Sequence, residues 1–425
     1  MPHPLDSEDT DFGWSWADHW AEGDITRELA GPQVPGGRTP RQRSQLAKFH
    51  APEIVFGPGA LAELGHCALR AGARRPFLVT DPGLIEAGWV GEAVGHLREA
   101  GLPAEIWHDV TPNPKDHEVE AAFERYQERG GDVIIGLGGG SCIDAAKGVA
   151  ILSGNGGRIL GYEGVNKVVH PIPPTVMVPS TSGTGADVSQ FAVITDTADR
   201  IKITIISRTL VPEIAVIDPR LLTTMPDWLG PASGMDALTH AIEAFVSRAH
   251  NPLTDNHALH AVKLISGHLR HTMVHPTRVK PRLAMAQASL EAGMAFTNAI
   301  LGVTHAMSHQ VGGLLDAPHG VVNAVLLPHV VRYNSHTHPQ RFVPLAAALG
   351  IPATGVTAQE VALELADRIH ELAEDLGMPK GLAAFGVTEA DIPQLTDTTL
   401  KDACLATNPR KASRGDIERL FREAL

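Results

Sequence analysis

A chain of 425 residues, 43% hydrophobic and 20% charged, has the composition of a soluble globular protein and is too long for one ordinary core, so two large domains are expected. Its formal charge of −13 argues against nucleic acid and anionic membranes as partners. Cys67, Cys142 and Cys404 form no C-x-x-C pair, which disfavours a disulfide framework or a thiolate metal site and fits a reducing cytosol. No apolar run approaches the roughly 20 residues of a membrane span, and Met1 to Thr10 lacks the pattern of a signal peptide. A cytoplasmic location is the expectation.

Residues 1–46 differ from the rest. They are acidic at first, carry Trp14, Trp16 and Trp20 close together, and turn rich in Gly, Pro and Arg between Gly31 and Arg43. Such a segment is either a poorly ordered extension or an arm that packs its tryptophans on another subunit or partner. Over residues 47–219, short apolar runs alternate with helical patterns. Pro76-Phe77-Leu78-Val79-Thr80, Asp132 to Gly136, Pro174 to Val178 and Glu213 to Ile217 read as buried strands of a mainly parallel sheet covered on both faces. From residue 220 to 425 the chain becomes a succession of Ala- and Leu-rich helical stretches broken by Gly and Pro. The expected fold class is an α/β, Rossmann-like N-terminal domain followed by an all-α C-terminal domain.

Two loops of the first half have the chemistry of a nucleotide site. Gly136-Leu137-Gly138-Gly139-Gly140-Ser141 follows a strand and opens a helix running through Asp144 and Lys147. Glycines there let backbone amides approach a pyrophosphate at the positive end of the helix. A G-x-G-x-x-G match is imperfect, because Ser141 holds the third position. The second loop, Pro179-Ser180-Thr181-Ser182-Gly183-Thr184-Gly185, also follows a strand, and loops at the carboxyl ends of neighbouring strands line one crevice. Asp81, just after a strand, can accept from a ribose diol and would repel a 2'-phosphate; ordinary turn chemistry in Asp81-Pro82-Gly83 explains it equally well.

The second half carries Asp236-Ala237-Leu238-Thr239-His240 and His305-Ala306-Met307-Ser308-His309, then Pro318-His319-Gly320. Each D-x3-H or H-x3-H pair places its side chains one helical turn apart on one face. Together they offer one carboxylate and three imidazoles with a fourth to spare, a donor set suited to iron(II) or zinc. With 22 histidines such pairs also arise by chance. His257, His260, His268, His271 and His275 read as ordinary helix-surface residues, whereas the former set sits among small and apolar neighbours and needs partners.

Gly138-Gly-Gly-Ser-x-x-Asp-x-Ala-Lys147, Ser182-Gly-Thr-Gly185, Gly234-Met-Asp-Ala-Leu-Thr-His-Ala-Ile-Glu243, the block from His305 to Val330, and Asp402-Ala-Cys-Leu-Ala-Thr-Asn-Pro-Arg410 are ordered and mutually spaced. In these the chain resembles the iron-containing (group III) alcohol dehydrogenase family from about residue 47 to the end. The resemblance implies NAD, in preference to NADP, and one divalent metal, iron(II) or zinc, in a cleft between two domains. It implies metal ligands Asp236, His240, His305 and His319, with His309 facing nicotinamide and substrate. Dinucleotide contacts map onto Asp81, Asn113, Gly138, Gly139, Gly140, Ser141, Thr181, Ser182 and Lys202. The expected activity is hydride transfer between a small primary alcohol or aldehyde and NAD(H), in a homo-oligomer of two or more chains. Alternatives are a polyol (glycerol-type) dehydrogenase, a dehydroquinate synthase relative, or a regulatory protein that keeps the fold. Residues 1–46 have no counterpart in the family pattern.

Overall fold

The computed structural model describes residues 48–274 and 278–425. The extension of residues 1–46, with its tryptophans, lies outside the described residues, as does His275. The strands are β1 (Glu53–Phe56), β2 (Pro76–Val79), β3 (Glu105–Trp107), β4 (Val133–Gly138), β5 (Gly164–Val165), β6 (Thr175–Pro179), β7 (Phe191–Asp196), β8 (Ile201–Ile206) and β9 (Ile214–Ile217). Six of them form a parallel sheet in the order β1-β9-β6-β4-β2-β3. β2, β4, β6 and β9 are the apolar runs of the sequence, and every residue in them is buried. That burial is why they read as continuous hydrophobic stretches and not as alternating ones.

Helices α1 (Leu64–Arg70), α2 (Pro82–Glu86), α3 (Trp89–Glu99), α4 (Asp116–Arg129) and α5 (Gly140–Asn155) connect these strands. Two hydrophobic clusters result. One packs Leu61, Leu64, Leu97 and Val90 onto Leu78, Ile135 and Val176; the other packs Val119, Ile143 and Val149 onto Phe77 and Ile134. Both faces of the sheet are therefore covered, as expected of a doubly wound fold. From β2 the chain steps outward to β3 and then returns to place β4 on β2's other side. The order reverses between β2 and β4, and ligands of open sheets bind at the carboxyl ends of the strands flanking such a point. A smaller sheet, β5-β8-β7, contains an antiparallel β7–β8 pair, which the sequence reading did not anticipate.

After β9 the described residues contain helices and no strands: α6 (Leu229–Val246), α7 (Pro252–Val274), α8 (Val279–Ala299), α9 (Val303–Leu315), α10 (His319–Ser335), α11 (Val343–Ala348), α12 (Ala358–Asp375), α13 (Ile392–Thr399) and α14 (Arg414–Glu423). α6 is buried along almost its whole length, packed among α7, α8 and α10. A central helix tolerates polar side chains only where partners await them. One surface expectation is refined here. His260 Nδ1 lies 2.8 Å and His257 Nδ1 3.5 Å from the Glu291 carboxylate, so these two half-exposed rings at the helix surface also partner a buried acid. Among the described residues no helix is long and apolar enough to cross a membrane.

Candidate active site

A cleft of about 700 Å³ is lined by residues of both halves. At one end stand the carboxyl ends of β2 and β4. Asp81 caps α2: its Oδ1 accepts from the Leu84 N–H at 3.1 Å, and its Oδ2 accepts the Cys142 thiol proton at 3.2 Å. Gly139 is the N-cap of α5, and no acidic residue lies in that helix's first turn to compete for its free amides. A Cβ on Gly140 would lie 2.8 Å from Thr184 Cγ2, and one on Gly139 would lie 3.3 Å from Thr181 Cγ2. At Gly140 a side chain would force Thr184 to shift, and at Gly139 it would be tight against Thr181, so the two glycine-bearing loops are closely fitted. The Ser180 N–H donates to the Gly138 carbonyl at 2.9 Å and ties one loop to the other. Thr181 lines the cleft, yet its buried Oγ1 has no hydrogen-bond partner. An orphaned hydroxyl beside free helix-terminal amides is the donor set that a pyrophosphate satisfies.

Asp81, Asn113, Gly139, Gly140, Ser141, Thr181 and Lys202 all line this cleft; Gly138 and Ser182 do not. The Asn113 side-chain amide donates to Asp316 Oδ1 at 2.6 Å, across from the glycine loop. Burial pushes the Lys202 ammonium down to about 8. Lys147 carries a structural task that its motif did not reveal. Its buried Nζ donates to the carbonyls of Ala186, Ser189 and Phe191 at 2.7, 2.7 and 2.9 Å, fixing the segment after the second loop.

The floor of the cleft belongs to α6, α9 and α10. Asp236 and His240 lie one turn apart on α6, His305 and His309 one turn apart on α9, and His319 opens α10. Donor atoms of Asp236, His305 and His319 all lie within 4.8 Å of one another. Asp236 Oδ1 is 3.9 Å from His305 Nε2 and 3.7 Å from His319 Nε2. His240 is outside that triple but stacks on the His305 ring, with centroids 4.5 Å apart.

Hydrogen bonding decides which nitrogen each ring offers. His240 Nδ1 is 3.1 Å from the Gly183 carbonyl, which can only accept. His305 Nδ1 donates to Glu243 Oε2 at 2.7 Å. The Ser308 hydroxyl donates to the His305 carbonyl, which leaves its oxygen to accept from His319 Nδ1 at 3.4 Å. All three rings thus carry their proton on Nδ1 and present a bare Nε2. Burial pushes the His240 imidazole down to about 4, and burial reinforced by Lys202 holds His319 well below its ordinary value. Imidazole nitrogens beside a carboxylate suit a divalent transition metal.

Three residues here escaped the sequence reading. Glu243, on α6, is buried beneath His305. Burial alone would raise its carboxyl, but bonds from His305, Thr304 and Gly302 outweigh that and hold it below its usual value. Asp402 accepts from His309 Nδ1 at 2.9 Å and from Gln310 Nε2 at 3.3 Å. The Asn323 amide donates to Asp236 Oδ1 at 2.7 Å and stands 3.2 Å from Nε2 of both His305 and His319. Glu243 and Asp402 lie inside quoted motifs, so their positions were visible while their partners were not. Asn323 follows His319 by one helical turn, the same spacing that marked the other pairs.

A doubly wound sheet whose crevice opens onto a buried cluster of one carboxylate and several imidazoles has the chemistry that a metal-dependent, dinucleotide-linked oxidoreductase would need. Comparison with known proteins specifies it further. A family model described as iron-containing alcohol dehydrogenase matches residues 51–219, and one described as the C-terminal part of the Fe-containing alcohol dehydrogenase family matches residues 231–425. The chain is 42% identical over 371 residues to a 1,3-propanediol dehydrogenase of Citrobacter freundii, covering 87% of this chain and 96% of that one. It is 37% identical to an NAD-dependent methanol dehydrogenase of Bacillus methanolicus, covering 89% and 99%. The solved structure of a 1,3-propanediol oxidoreductase superposes with a TM-score of 0.86 at 40% identity, covering 90% of this chain and all of that one. The chain belongs to the iron-containing alcohol dehydrogenase family and is an alcohol oxidoreductase.

Proposed function

We propose that the protein transfers hydride between a small, primary alcohol or its aldehyde and NAD(H), using one divalent metal, iron(II) or zinc. Asp236, His240, His305 and His319 would hold the metal. Asp81, Asn113, Gly138 to Ser141, Thr181, Ser182 and Lys202 would hold the dinucleotide. When bound, the metal supplies Lewis acidity to the substrate oxygen and NAD supplies the hydride acceptor. The observation that carries this reading is the convergence of His305 Nε2, His319 Nε2 and the Asp236 carboxylate, with His240 stacked on His305, on the floor of the cleft whose walls are the two glycine loops.

The chain's own residues have distinct tasks. Asp402 holds the proton of His309 on Nδ1, so Nε2 is the nitrogen offered to the cleft and to a substrate hydroxyl proton. Phe296 stacks on His240, Phe191 packs edge-on against Phe296, and Leu301 also lines the cleft; these apolar walls would keep water from the reacting carbon. The Asp81 carboxylate favours a free ribose diol over a 2'-phosphate. The names of the two relatives favour short alcohols or diols as substrates. A division of the chain between residues 219 and 220, assembly as a homo-oligomer and a cytoplasmic location belong to the same reading.

A panel of methanol, ethanol, butanol, 1,3-propanediol and glycerol, assayed by NADH formation with saturating iron(II) or zinc, tests it. Turnover of the short primary alcohols or 1,3-propanediol is expected. No NADH from any of them would contradict the reading and favour a regulatory protein on this fold.

A further inference from the structure

The cleft uses His305 from one side, but that ring is held from the other. Glu243 sits two turns along α6 from Asp236 and is 2% exposed. Its carboxylate receives three donors at once: Gly302 N–H at 2.9 Å and His305 Nδ1–H at 2.7 Å on Oε2, and Thr304 N–H at 2.7 Å on Oε1. Two of these are backbone amides at the start of α9, where the helix has free donors and positive potential. The third is the ring nitrogen opposite the one that faces Asp236. Asn408 closes the cradle, with its Oδ1 accepting from the Val303 N–H at 3.1 Å. Space is tight enough that a Cβ on Gly302 would lie 2.9 Å from Glu243 Oε1 and 2.7 Å from Asn408 Oδ1.

We infer that Glu243 is the residue that tunes metal affinity: a buried carboxylate that fixes the His305 tautomer, aims its Nε2 and makes that nitrogen more basic, while anchoring α9 at the same point. The inference rests on the metal-site reading given above. A carboxylate behind an imidazole stabilises the positive charge the ring acquires on donating its lone pair, and it leaves one tautomer only. Its polarity cannot be supplied by an isosteric amide. Glu243→Gln offers one acceptor and one donor group to three donors. Whichever way the amide lies, at least one donor faces an N–H, and the negative charge behind His305 is gone.

The test is a titration of the metal-free protein with zinc(II), and anaerobically with iron(II), against a competing chromophoric chelator. Glu243→Gln is expected to loosen metal binding about ten- to a hundred-fold while NAD affinity stays at the parent value. Glu243→Asp keeps the charge but draws the carboxylate back by one methylene from its 2.7 Å contact with His305 Nδ1, and is expected to loosen metal binding several-fold, less than Glu243→Gln; should Glu243→Gln fail to fold, parental metal affinity in Glu243→Asp overturns the inference. Unchanged metal affinity in Glu243→Gln would overturn the inference, even if the metal-free protein melted earlier, because anchoring α9 would then be its whole role. His305→Ala separates the two levels. If it too holds metal like the parent, the site reading itself falls; if it loses metal while Glu243→Gln does not, only the role of Glu243 falls.

Discussion

Replacing Gly320 by alanine probes how finely α6 and α10 are fitted. Gly320 follows His319 at the start of α10, and a Cβ there would lie 2.4 Å from the Ala232 carbonyl oxygen, 2.9 Å from its carbon and 3.2 Å from Asp236 Cβ. The obstacle is backbone of α6, so no rotamer relieves it. Restoring an ordinary contact of 3.4 Å requires 3.4 − 2.4, about 1 Å, of separation between the helices. His319 and Asp236 move apart by a comparable amount, whereas metal-ligand distances tolerate about 0.2 Å. The expected cost is about 1–3 kcal/mol of folding stability from overpacking. Metal affinity should fall by a hundred-fold or so, at least the upper end of what loss of an outer partner causes. NAD affinity should hold, because the Gly138–Ser141 loop is not moved. Gly267→Ala on α7 is the control: its Cβ meets nothing within 4 Å, and a gain of up to about 1 kcal/mol is expected. Metal content after dialysis, thermal melting and NADH formation report the three effects. Gly320→Ala with parental metal content and turnover would refute the reasoning.

Asp402→Asn weakens the hold on His309 Nδ1 and should lower kcat on the order of 10²-fold with KM little changed; steady-state kinetics decide, and an unchanged kcat rejects the role. Asp81→Gly removes the carboxylate from the ribose end of the cleft and the cap of α2. The ratio of NAD to NADP turnover should fall, with a loss of only about 0.3 kcal/mol in stability, since glycine is itself tolerated at an N-cap. Glu291, held at about 2 against an ordinary 4.5 despite its burial, is kept ionised by His257, His260 and Gln287. A depressed carboxyl stabilises fully above the ordinary value and loses that contribution as pH falls through 4.5 toward 2. Its contribution is on the order of 3 kcal/mol. Denaturation measured across that window should be steeper for the parent than for Glu291→Gln.

What the sequence disclosed and withheld follows physical lines. β2, β4, β6 and β9 were readable because central parallel strands are apolar on both faces. β3 has only three half-buried residues, Glu105, Ile106 and Trp107, and β7–β8 mixes polar residues such as Thr195, Lys202 and Thr204 into its pairing, so neither stands out from its surroundings. The Asp236/His240 pair on α6 and the His305/His309 pair on α9 were visible as helical spacings. Glu243 and Asp402 were not, because each is defined by a partner far along the chain: His305 lies 62 residues from Glu243 and His309 lies 93 from Asp402. Asn113 shows the converse, since its amide is turned to Asp316, 203 residues away, beside the loop it was expected to share with a nucleotide.

The central claim is that the buried donors of α6, α9 and α10 serve catalysis by holding a metal within reach of a nicotinamide. The most direct measurement is a titration of chelator-stripped protein with iron(II) under anaerobic conditions, following bound metal and NADH formation on the same samples. The account predicts that metal-free protein binds NAD but forms no NADH from alcohol, and that activity rises in proportion to metal until each chain holds one ion. Full activity without metal, or bound metal that leaves activity unchanged, would contradict it.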